Sequence, residues 1–99
     1  MNFATQFLSS HKDELIDKVG DADVANKLID RMTDLAKIGF ELASIEFKSL
    51  TQGLNYASKE DMEHLKAQAL QNIDLIVNDC PADALSLVIW FVINIVLKV

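Results

Sequence analysis

Polar residues recur along the middle of the chain at Asp30, Asp34, Lys37, Glu41, Ser44, Lys48, Thr51 and Asn55. The steps alternate four and three, which draws one narrow wet stripe along a continuous helix. Asp21 and Asp23 are good N-caps, so the pattern predicts a long helix from there to about Tyr56. Most of its remaining surface is apolar, and it is expected to touch neighbours on at least two sides. Upstream, Phe3, Phe7, Leu8, Leu15 and Ile16 share one side of a helix predicted over Phe3–Val19. Ser10 and Asp13 have capping-box spacing, so a kink or restart is expected near Ser9–Ser10. Gly20 is the expected stop. Downstream, Ser58-Lys59-Glu60-Asp61 opens a third helix, whose apolar face includes Met62, Leu65, Leu70, Ile73 and Val77. That helix is expected to end near Asp79, because the residue before Pro81 is pushed out of helical geometry. Pro81 suits the first turn of a fourth helix, with Asp83 at its start.

The fourth helix has a different pattern. From Ala84 to Leu97 there is no charge, and only Ser86 and Asn94 are clearly polar. A helix that is apolar all round must hide in protein or in lipid. Its uncharged run measures roughly 21 Å at 1.5 Å per residue, short of the ~30 Å of a hydrocarbon layer. Asp79 and Asp83 precede it and only Lys98 follows, so the flanking basic signal is weak. Burial against protein is therefore expected, with copies of the same chain supplying part of the cover.

Short connections make consecutive helices antiparallel neighbours. The expected fold is all-α: one domain over residues 1–99, an up-and-down bundle of four helices that is expected to be oligomeric. Met32, Gly39, Glu46 and Gly53 lie seven apart on the long helix. Gly39 is expected where another helix comes close, and Gly53 at a bend or at the helix end.

Composition narrows the function. Hydrophobic residues make up 51% of the chain, enough to offset ordering entropy, so a folded core is expected. The net charge of −6, with only nine scattered Lys and Arg, argues against phosphate neutralisation and hence against nucleic-acid binding. The same sign disfavours anionic membrane surfaces. One cysteine, Cys80, permits no intrachain disulfide and no cysteine-based zinc site, which points to a reducing, cytoplasmic setting. The N-terminus lacks the pattern of a signal peptide.

Candidate chemistry is sparse. Asp61–His64, Glu60–His64 and His11–Glu14 have carboxylate–histidine spacings that share a helix face, but a di-metal bundle needs two such motifs turned inward with further carboxylates. Exposed polar residues at helix starts explain them better, and no metal or cofactor is expected. Glu46 stands on an apolar side, where a carboxylate must pair, protonate or reach water. Cys80 fits a small buried side chain better than a reactive thiol. Asn55 and Tyr56 close the long helix and fit chain-end packing. Nucleophile elbows, phosphate loops and metalloprotease motifs are absent, so the chain is expected not to be an enzyme.

The expected role is that of a non-enzymatic adaptor, inhibitor or immunity-type protein, acting on itself and on another protein. The residues expected at such contacts are Leu87, Trp90, Phe91 and Asn94 on the last helix and Phe40, Glu46 and Phe47 on the long one. Large aromatics are the usual anchors of interfaces, and a lone buried amide selects register. The alternatives are a protein anchored in membrane by residues 84–99 and a helical oligomer binding a small ligand.

Overall fold

A computed structural model describes residues 3–52 and 59–97, and the protein is all-α across them. Helix α1 spans Phe3–Val19, α2 Ala22–Gln52, α3 Lys59–Asp79 and α4 Leu85–Leu97, with a 3-10 turn at Ala82–Ala84 leading into α4. The expected restart in α1 does not occur: the helix passes through Ser9, Ser10 and Asp13 without a break. The reason is packing, since Leu8 and Leu15 are both fully buried and hold one continuous apolar line across the serines. Tyr56, Asn55, Gly53 and Ser58, where the end of the long helix and the start of the third were expected, lie outside the described residues.

The turn from α1 to α2 is built as its residues dictate. Gly20 adopts φ +78, a left-handed conformation that carries no steric penalty without a Cβ, and its N–H donates to the Ile16 carbonyl at 2.8 Å. The Asp21 carboxylate then accepts from the backbone N–H groups of Asp23 and Val24 at 2.8 and 3.2 Å, capping α2. Asp79 closes α3 as Pro81 requires, and Pro81 sits extended at φ −60, ψ 147 before the 3-10 turn.

The core lies where α1, the first half of α2 and α4 meet. Ala4, Leu8 and Leu15 of α1 pack with Leu28, Met32 and Leu35 of α2 and with Val88, Phe91 and Ile95 of α4. Ala84, Val88, Phe91 and Ile95 fall at spacings of four, three and four, the inward line of a helix. From α3 only Ile76 is fully buried among the described residues. Arg31 near the start of α2 meets Asp79 at the end of α3 at 3.2 Å, so the two helices run antiparallel. Both side chains are partly exposed, so this ion pair fixes register more than it adds stability.

Within its own chain the last helix is covered on one side only: Ile89 and Ile93 are 49% and 48% exposed. A helix presents only one side to a core made by α1 and α2, and α3 does not close over the other. Among the described residues no other part of the chain approaches Gly39, where another helix was expected: a Cβ built there would meet nothing within 4 Å.

Truncating the inward line of α4 tests the core directly. Phe91→Ala is expected to lower unfolding free energy by about 3–5 kcal/mol, and Asp21→Ala by about 1 kcal/mol through the lost cap, both read from urea midpoints. An effect of Phe91→Ala smaller than that of Asp21→Ala would contradict this account of the core.

Candidate functional site

The most distinctive surface is an open apolar trough between α3 and α4, floored by α2. Its upper part is lined by Ile73, Ile76 and Val77 of α3 with Leu85, Ile89 and Ile93 of α4. Its lower part continues over Leu35, Gly39 and Leu42 of α2, with Ala69 and Val96 on the walls. The trough exists because α3 packs on α2 without a comparable contact to α4. Ile73 and Val77 stand on one wall and Ile89, Ile93 and Val96 on the other, at the three- and four-residue spacings of helix faces. No ionisable side chain occurs in α4, and none lines either part of the trough.

A second uncovered stripe continues α2 beyond its partners. Among the described residues full burial along α2 ends at Ala36. Phe40 is 59% exposed and Leu50 81%. With 31 residues against 17 in α1, α2 overhangs the shorter helix by roughly 20 Å.

The expected contact residues divide among these settings. Phe40, Glu46 and Phe47 are exposed on the second half of α2. Leu87 is half-buried against the core. Phe91 is fully buried within its own chain, which removes it from any outward contact surface. Trp90 is partly exposed and belongs to an aromatic cluster on α1: its ring lies 5.3 Å from both Phe7 and His11, and Phe7 meets Phe91 edge-on at 5.4 Å. Asn94 is not a buried amide awaiting a partner. Its Nδ2 donates to the Trp90 carbonyl at 2.8 Å, one turn back in the same helix.

Polar groups elsewhere form local pairs. His11 Nδ1 lies 3.1 Å from Glu14 Oε1, and His64 Nε2 lies 3.3 Å from Gln68 Nε2. Among the described residues no three His, Cys, Asp or Glu side chains gather into a metal-sized group. Cys80 is half-buried beside α4, and its Sγ donates to the Pro81 carbonyl at 3.4 Å. Desolvation raises its pKa, the opposite of an activated thiol. Among the described residues no single helix is long and apolar enough to cross a membrane; α3 and α4 reach that length only together, bent by 119°.

Comparison with protein-family models, with curated proteins and with solved structures finds no match to this chain.

What sequence reasoning missed is the trough itself. The only signal was the width of the α3 apolar face, where Leu70, Ile73 and Val77 run beside the inward Leu65, Ala69 and Ile76.

The raised Cys80 pKa makes two linked predictions. Alkylation by iodoacetamide should titrate with a midpoint above that of a cysteine in an unfolded control of the same chain. Because the unfolded chain loses the thiol proton first, this group's contribution to stability is present below the ordinary thiol range and declines as pH rises through it. A midpoint at or below that of the control would refute the assignment.

Proposed function

We propose that this protein is a non-enzymatic interaction protein, an up-and-down helical bundle that works by binding copies of itself and another protein. The observation that carries the reading is the amount of large apolar surface left uncovered on three of its helices. Phe40 and Leu50 on α2, Leu70 and Val77 on α3, and Ile89 and Ile93 on α4 all stand in water. A lone domain rarely exposes so many large apolar side chains in continuous stripes unless they meet a partner.

The chemistry of the remaining surface supports the same reading. Binding through helix faces needs apolar anchors within a polar rim. The acidic balance of the chain suits contact with a basic or neutral protein surface.

Light scattering is the direct test. The mass at tens of micromolar should exceed the 11.0 kDa of one chain. The thermal midpoint should also rise with protein concentration, because association stabilises the folded state by mass action. A strict monomer whose midpoint does not move with concentration would remove self-association from the proposal.

A further inference from the structure

We infer that the trough between α3 and α4 receives α4 of a second copy of the chain, in a two-fold arrangement where each copy lays its Ile89–Ile93–Val96 ridge into the other's trough. The inference rests on the self-association proposed above and assigns it to one surface.

Two physical arguments select this occupant. The first is charge. A chain with net charge −6 repels its own copy, so self-contact is easiest through a face with no ionisable groups. The thirteen residues of α4 contain none, whereas the wet stripe of α2 mixes Asp30, Asp34 and Glu41 with Lys37 and Lys48. Two α4 helices can therefore meet across a two-fold axis without opposing like charges. The second is area. Ile73, Val77, Ile89, Ile93 and Val96 together leave on the order of 400 Å² of apolar surface in water, and the half-buried Leu42, Leu85 and Val92 of the same lining add to it. Two copies meeting there bury about twice that, approaching the roughly 1,000 Å² at which a specific interface begins.

The shape agrees with both. A helix entering the trough would pass over Gly39, where the absence of a side chain leaves open space in the floor. A two-fold contact is self-complementary: the ridge and the slot are on the same chain, so the contact closes as a dimer instead of growing into a filament.

The test uses the full chain and two substitutions at exposed positions. Ile93→Lys puts a charge in the middle of the trough; Phe40→Lys puts one on the α2 stripe outside it. By light scattering the unaltered chain should be a dimer at tens of micromolar. Ile93→Lys should raise the dissociation constant about tenfold or more, as for a central interface residue, and Phe40→Lys should change it far less. As a measurement independent of that substitution, Cys80→Ser combined with Ile93→Cys should form an interchain disulfide under mild copper-catalysed air oxidation, because the two-fold brings the two copies of position 93 together. An oligomer that resists Ile93→Lys and yields no such cross-link would overturn the inference and leave self-association standing on another face. A strict monomer would overturn both, and the trough would then be tested with a basic amphipathic peptide and with apolar small molecules.

Discussion

Burial of one line of side chains on the last helix holds the rest of the molecule in place. Ala84, Val88, Phe91 and Ile95 face inward against α1 and the first half of α2, and once they are seated the rotation of α4 is fixed. On an ordinary amphipathic helix that rotation would turn charged residues to water. Here the residues turned outward are Ile89, Ile93 and Val96, because the sequence is apolar on every side. The stable core and the uncovered surface thus come from the same choice of residues.

Helix lengths have a second consequence. The first helix reaches only part of the way along α2, so the apolar positions beyond Ala36 have α3 on one side and solvent on the other. The third helix in turn follows α2 and makes far less contact with α4. The molecule is 48 Å in its longest direction and only 18 Å in its shortest. An elongated, thin arrangement has little interior, which is why Ile76 is the one described α3 side chain that is fully enclosed. Apolar residues that such a shape cannot hold inside stand in water, while polar groups such as His11 with Glu14 and Asn94 with its own helix form local pairs.

Much of the secondary structure was legible from local chemistry. Gly20, the Asp21 cap and Pro81 mark helix ends through backbone conformation and hydrogen bonding, which depend on a few adjacent residues. The capping-box spacing at Ser10 and Asp13 misled for the same reason: a local signal was outweighed by the burial of Leu8 and Leu15 on either side. Among the candidate contact residues, Phe40 was legible as a large apolar residue on a helix with more apolar surface than one neighbour covers. Phe91 was not separable from Trp90, since in a helix apolar all round no periodicity tells the inward side from the outward one.

The amino-acid order by itself determined that the described residues are all-helical, where the turns at Gly20 and Pro81 fall, and that the last helix carries more apolar surface than one side can bury. The tertiary structure alone decided which side that is. It also decided that α3 and α4 stand apart over Gly39, because the separation of two helices depends on what each packs against and not on the pattern within either.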